Sequence, residues 1–350
     1  MAIPTSRRIL VGALTLTVSA VLVQASDASS VLLEPGGTLR SLPAPEDGLN
    51  ILLMGTDGRD TITEKERRTF RLGGVACDCT DTLMLVHVSA RNDRVSVVGI
   101  PRDSYAVVPE GPHKNSGEVL PERPSKINAA FRDGGSELSV RTVQSMTGLD
   151  VDRAMQVDFR RFMDGVDDLG GVPVCTEKPL KDKVTALDLA PGRHRLNGGP
   201  ALQYVRSRHV DTRADLGRIQ RQQRFLLALG EEVRKRVAKG RGALTGFASL
   251  IAAPAPVGPE MTSGEILDLA YRLRSLKPQQ VEFAIVPVSG YNDNKNGTGS
   301  TLQWDERAAG EMFSNLAADR PLPRNAGADP NRVPGFGTHV PVPGSKLSCG

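Results

Sequence analysis

Three short apolar runs constrain the fold most: NILLM at residues 50–54, TLMLVHV at 82–88 and VSVVGI at 95–100. Each lies within three residues of an aspartate or an arginine: Asp57 after the first, Asp81 before the second, Arg102 after the third. Runs this short, without polar alternation, predict buried strands rather than helices. The polar stretch 89–94 predicts a hairpin between the second and third. Later runs at 155–159, 172–174 and 281–286 predict further strands. Helical patterns intervene at 138–147, closed by Gly148, and at 162–169, closed by Gly170 and Gly171. Two more follow, a long one at 211–239 and one at 263–276. Thr262 and Glu265 have the spacing of a capping box for the last of these. Strands alternating with helices predict an α/β domain with one central mixed sheet flanked by helices, over residues 50–320.

The N-terminus carries a different signal. Arg7 and Arg8 precede an apolar run over residues 9–25, after a short tail at 1–8. A basic flank before about 17 apolar residues is the pattern of a transmembrane signal anchor or of a cleaved secretory signal. Both readings put the remainder outside the cytoplasm: a single-pass cell-membrane protein, or a secreted one. Residues 26–49 read as a stalk. Residues 321–350, rich in Pro, Gly and Asn, read as a disordered tail.

Composition excludes some functions. The chain has 44 basic and 40 acidic residues, a net charge of +4, and 4% aromatics. That balance gives neither the basic excess nor the stacking surface of a nucleic-acid binder. No GxxxxGK[ST] or GxSxG motif is present, and five histidines give little support for a histidine base.

Positive charge is instead clustered. The segment 204–224 holds Arg206, Arg208, Arg213, Arg218, Arg221 and Arg224. A guanidinium fork suits phosphate oxygens. Asp215, Arg218 and Gln222 are spaced to share one helical face, beside an apolar face carrying Ile219 and Leu226. A solvated arginine-rich helix with an ordinary ion pair has the same spacing. Asp57 and Asp81, at strand ends, are placed to hold Mg²⁺ or Mn²⁺, though a turn residue and a cap occupy such positions too.

Seven ordered stretches resemble the LytR–CpsA–Psr family of cell-wall glycopolymer ligases: NILLMGTDGRD (50–60), TDTLMLVHVS (80–89), VSVVGIPRDSY (95–105), SKINAAF (125–131), VDFRRFMDGVDDLGGVPV (157–174), LAPGRHRLNGGPALQYVRSRH (189–209) and DLGRIQRQQRF (215–225). The resemblance implies transfer of a glycopolymer from a polyprenyl-pyrophosphate carrier to a peptidoglycan hydroxyl, forming a phosphodiester at the membrane. It implies Asp57 and Asp81 as metal ligands. It implies Arg102, Lys126, Arg206, Arg208, Arg218 and Gln222 around the pyrophosphate, with Asp215 in support and Asp81, Arg102 and Arg218 as the catalytic set. A pyrophosphatase using water, or a glycopolymer-binding scaffold, would carry the same residues.

One departure stands out. Where the family commonly has Arg-Ser-Asp-Thr, this chain has Cys79-Thr80-Asp81-Thr82. Arg67, Arg68 and Arg71, in what reads as an inserted surface loop at 61–74, are candidates to replace the missing charge. The four cysteines, in an oxidising compartment, suggest a bridge from Cys77 or Cys79 to Cys175, with Cys349 free. That pairing requires the strands beginning at Thr82 and ending at Val174 to be near neighbours.

Overall fold

The computed structural model describes residues 46–74, 77–252, 258–293, 295–323 and 341–348. The tail, the apolar run at 9–25 and nearly all of the stalk lie outside these residues, as does Cys349. Among the described residues no helix is long and apolar enough to cross a membrane.

The three apolar runs form β1 (Leu49–Thr56), β2 (Thr80–Val88) and β3 (Val95–Ile100). β4 (Arg153–Val157), β5 (Val281–Ile285) and β6 (Val342–Pro343) complete a six-stranded sheet in the order β6-β5-β3-β2-β1-β4. β1 runs parallel to β4 and β3 to β5, and the remaining pairs are antiparallel, so the sheet is mixed as expected. Within 321–350, read as a disordered tail, the described residues 341–348 carry the edge strand β6. Glu282 and Phe283 of β5 pair with Pro343 and Val342, and Leu322 is buried. Two adjacent residues suffice to extend a sheet edge, a signal too short for pattern reading.

Eight α-helices are described: α1 (Glu64–Thr69), α2 (Ala129–Thr147), α3 (Phe159–Asp168), α4 (Gly198–Arg206), α5 (Ala214–Val237), α6 (Thr245–Ile251), α7 (Ser263–Arg272) and α8 (Glu306–Ala317). Strand alternation splits the sheet into two apolar faces. Leu52, Met54, Leu83, Leu85 and Val98 pack against Phe131, Val140 and Val143 of α2 and Met312, Phe313 and Leu316 of α8. On the opposite face Leu53, Met84, Val86 and Val97 meet Leu226 and Leu227 of α5 and Leu269 of α7. Full burial of each such side chain contributes about 1.5–3 kcal/mol. α5 comes close enough to β3 that a Cβ at Gly99 would lie 2.5 Å from Ile219 Cγ2. Gln223 Nε2 donates to the Ala284 carbonyl at 2.6 Å and fixes α5 along β5.

A further apolar cluster gathers α3, α4 and the hairpin of Val172–Thr176 with Gly192–Leu196 around Tyr204 and Phe225. The stretch 61–74 is more ordered than a surface loop. Thr63 and Glu66 form a capping box that starts α1, and Glu66 pairs with Arg160 of α3 at 2.5 Å. Phe70 packs where any Cβ at Gly199 would collide with its ring.

Candidate active site

A β-bulge sets the site. Gly55 pairs with Thr82 and Thr56 with Thr80, which leaves Asp81 as an extra residue on β2. Without it, Asp81 would point to the α2–α8 side of the sheet. The added residue turns it to the side of Thr82, facing α5.

Arginines from three separate segments meet Asp81 there. Arg102, just past β3, donates to Asp81 Oδ1. Arg218 Nη1 of α5 and Arg208 Nη2, in the turn after α4, each lie 3.9 Å from the same oxygen. Asp215 stands behind them, 2.9 Å from Arg218 Nη2 and 3.1 Å from Arg208 Nε. Asp215, Arg218 and Gln222 thus share one face of α5, as their spacing predicts. Burial opposes the ionisation of Asp81, but Arg218, Arg102 and Arg208 outweigh it and hold its carboxyl below the usual range. Arg218 is almost fully buried, which pushes it down to about 10 despite Asp215, so it stays cationic at neutral pH.

Arg206, the last residue of α4, is the least satisfied cation of the group. Its guanidinium lies 5.0 Å from the centroid of the Phe159 ring, and its buried Nη1 has no hydrogen-bond partner among the described residues. Burial and neighbouring Arg59 push its pKa down, while Asp81 and Asp57 pull it up, so both carboxylates act on one guanidinium. Asp57 is buried just beyond β1. Its Oδ2 accepts from the Cys77 amide at 3.0 Å and from Arg59 Nη2 at 3.4 Å, and its Oδ1 has no hydrogen-bond partner among the described residues. Gln222 Nε2 donates to Thr82 Oγ1 at 2.8 Å and to the Val205 carbonyl at 3.1 Å, which joins β2, α4 and α5, and its Oε1 is also without a partner. Lys126 stands further out. Its Nζ pairs with Asp103 at 2.9 Å, and Asp103 in turn lies 3.7 Å from Arg102 Nε.

Sequence reading missed several contributors. Arg59, within GTDGRD, donates to the carbonyls of Leu72, Gly73 and Gly74 and adds positive charge beside Arg206. The inserted arginines are engaged elsewhere: Arg67 donates to the Arg59 carbonyl, Arg68 pairs with Glu64 in solvent, and Arg71 is exposed. Asp182, from a distant hairpin, accepts from the amides of Arg208 and His209 at 2.9 and 3.1 Å and so positions Arg208. No local pattern marks that residue.

The expected disulfide is not formed. Cys77 bonds to Cys79, their Cα atoms 5.2 Å apart. Cys175 is itself disulfide-bonded, but to neither of them. The expectation fails because its strands are not neighbours. β2 lies inside the six-stranded sheet, and Val172–Thr176 pairs with Gly192–Leu196 in a separate one. Among the described residues, Asp57, Cys77 and Cys79 are the grouping compact enough for a metal, but both sulfurs are spent in the bond.

An apolar seam leads away from the charged cluster between the sheet and the helices. Its first part is a cavity of about 190 Å³ with Asp81, Arg206, Arg218 and Gln222 at one end and Leu53, Met84 and Phe162 along its walls. A second cavity of about 280 Å³, under α5 and α7, shares Leu53, Met155, Leu226 and Ile251 with the first.

The model of the LytR_cpsA_psr family matches residues 22–318. The cell wall biosynthesis protein LcpA of Corynebacterium glutamicum is 29% identical over 310 residues, covering 82% of this chain and 59% of LcpA. The probable cell wall biosynthesis protein LcpB of that organism is 32% identical over 274 residues, covering 77% and 61%. The chain therefore spans about three fifths of the length of these relatives. A structure of TagT, a protein of B. subtilis, bound to LIIa-WTA is 25% identical, with a TM-score of 0.55 over 78% of this chain and 91% of TagT. TagT with bound octaprenyl pyrophosphate lipid is 23% identical, with a TM-score of 0.54 over 81% of this chain and 94% of TagT. By the extent of the family match, this chain belongs to the LytR_cpsA_psr family.

Proposed function

We propose that this chain is a membrane-anchored, extracytoplasmic phosphotransferase. It moves a glycopolymer from a polyprenyl-pyrophosphate carrier to a hydroxyl of peptidoglycan. One observation carries the reading: Arg206 and Arg218 line the mouth of an apolar seam, and each has a buried donor, Nη1 and Nε, without a hydrogen-bond partner among the described residues. Buried polar atoms are satisfied in nearly all native structures, so a cluster of exceptions marks a missing polar ligand. A pyrophosphate at the arginines, with its prenyl chain in the seam, answers both features. That TagT has been solved with octaprenyl pyrophosphate supports the choice of ligand class.

In the transfer, the acceptor oxygen bonds to the phosphorus that carries the glycopolymer. The bond from that phosphorus to the bridging oxygen breaks, and polyprenyl phosphate leaves with the electron pair. Arg102, Arg206, Arg208 and Arg218 neutralise the charge that builds on the leaving group. Asp81, held ionised by its arginines, receives the hydroxyl proton. Its lowered pKa makes it a weak base, which suffices where the transition state is loose and little proton transfer precedes bond breaking. The free Oδ1 of buried Asp57 fits a hard cation, and Asp57 and Asp81 would hold Mg²⁺ or Mn²⁺. When bound, the ion supplies further positive charge to the phosphate oxygens.

The test uses the full chain, a polyprenyl-pyrophosphate-linked glycopolymer and peptidoglycan. Acceptor-dependent formation of a phosphodiester supports transfer. Phosphate release that is indifferent to acceptor favours a pyrophosphatase instead. Tight binding with neither product favours a glycopolymer-binding scaffold.

A further inference from the structure

Two basic residues line the far end of the apolar seam, and further basic residues lie close by in the chain. Arg234 of α5 and Lys277, beyond α7, both line the second cavity, and Glu231 is the acidic residue beside them. Five of the eight residues from Arg234 to Arg241 are basic, as are three of the seven from Tyr271 to Lys277, and neither stretch contains an acid. Tyr271 is exposed between two guanidinium groups, with Arg274 4.0 Å and Arg241 5.0 Å from its ring centroid. Some of this charge has local explanations. Basic residues in the last turn of α5 complement its dipole. Arg236 lies 3.9 Å from Asp168, and Arg241 lies 3.3 Å from Asp268. Those explanations do not reach Lys277, which lines the cavity with Arg234, or Arg274, which stacks on Tyr271 a few residues earlier in the chain.

We infer that this face, comprising Arg234, Arg241, Tyr271, Arg274 and Lys277, docks on an anionic lipid bilayer, so that the seam opens toward the acyl region. The partner follows from charge complementarity. Basic residues beside an exposed amphipathic aromatic suit a headgroup layer, where tyrosine sits with its ring in the apolar boundary and its hydroxyl in water. The seam then runs from the bilayer to the arginine cluster, and a prenyl chain passes along it without crossing water. This last consequence rests on the polyprenyl substrate reading, but the docking itself does not.

The experiment places the full chain, carrying Tyr271→Trp, in phosphatidylglycerol vesicles with brominated acyl chains and no polyprenyl lipid. Trp304, the other indole, is 8% exposed and serves as background. The expected result is bromine quenching of the indole at position 271, lost in phosphatidylcholine vesicles and in about 1 M salt, where the screening length falls to about 3 Å. Arg234→Gln with Lys277→Gln should lower the docked population about fivefold per charge removed. Circular dichroism checks that the variant is folded, and the Tyr271→Trp chain alone decides if it is not. No quenching in anionic vesicles, or equal quenching in neutral ones, overturns the proposal. Quenching without glycopolymer transfer would sink the substrate reading and leave docking in place, and transfer without quenching would do the reverse.

Discussion

The backbone amide of Cys77 donates to Oδ2 of Asp57 over 3.0 Å, so the two-cysteine loop and the carboxylate beyond β1 are fixed as one unit. Opening the Cys77–Cys79 bond frees that amide to move. Cys77→Ser with Cys79→Ser should keep the fold, losing about 1–2 kcal/mol by the chain-entropy model for so short a loop. Transfer should fall about tenfold, since hydrogen bonds to charged groups contribute roughly 1.5–3 kcal/mol. Adding a dithiol reductant to the wild type should reproduce the loss. Equal rates for the reduced and oxidised protein would show that the loop does not position Asp57.

Asp81 is the shared counter-ion of Arg102, Arg208 and Arg218. Asp81→Ala should abolish transfer and also destabilise the protein by about 2 kcal/mol, because it strands cations that are mostly out of water. Inorganic pyrophosphate should then raise the melting temperature of the variant more than that of the wild type. Thermal melts with and without pyrophosphate check this, and equal shifts would refute it.

Arg206 offers a planar fork whose Nη1 has no partner among the described residues. Arg206→Lys keeps the charge but loses the fork and the stacking on Phe159. Turnover should drop by about tenfold to a hundredfold, as expected for a lost charge-assisted hydrogen bond. Steady-state transfer assays read the change, and wild-type turnover in the lysine variant would count against a direct contact.

Glu66 is pulled down to about 2, first by its hydrogen bond from Arg160 and then by those from Thr63. A carboxyl depressed in the folded state adds stability above its ordinary pKa, near 4.5, and that stability is lost as pH falls through about 2. The wild type should therefore lose stability between pH 4.5 and 2 more steeply than Glu66→Gln. Urea melts across that range give the slopes, and parallel slopes would exclude the clasp.

Gly199 faces the Phe70 ring with no room for a methyl group. Gly199→Ala should cost about 1–3 kcal/mol through overpacking, despite the better helix propensity of alanine. Chemical denaturation measures the change. A stabilised variant would mean that Phe70 leaves the pocket at little cost.

Elements backed by long patterns were legible in the residues. The capping box of Thr262 and Glu265 is present, and β3 spans the expected run. The shared face of Asp215, Arg218 and Gln222 follows from helical spacing alone. What escaped depended on distant pieces meeting. Asp182 positions Arg208 from 26 residues away in the chain, and nothing local marks it. The disulfide pairing rested on the strands ending at Val174 and beginning at Thr82 being neighbours, and no sequence pattern shows that Val172–Thr176 pairs with Gly192–Leu196 in a separate sheet. β6 was missed because a two-residue strand has no period to detect.

The extra residue at Asp81 separates two properties that usually change together. Deleting Thr80 would slide Asp81 into the slot opposite Thr56, on the face packed by α2 and α8, while every pair from Thr82 to Val88 kept its partner. Strand pairing would survive and the arginines would lose their common anchor. Removal of one residue would therefore separate the integrity of the sheet from the assembly of the arginine cluster.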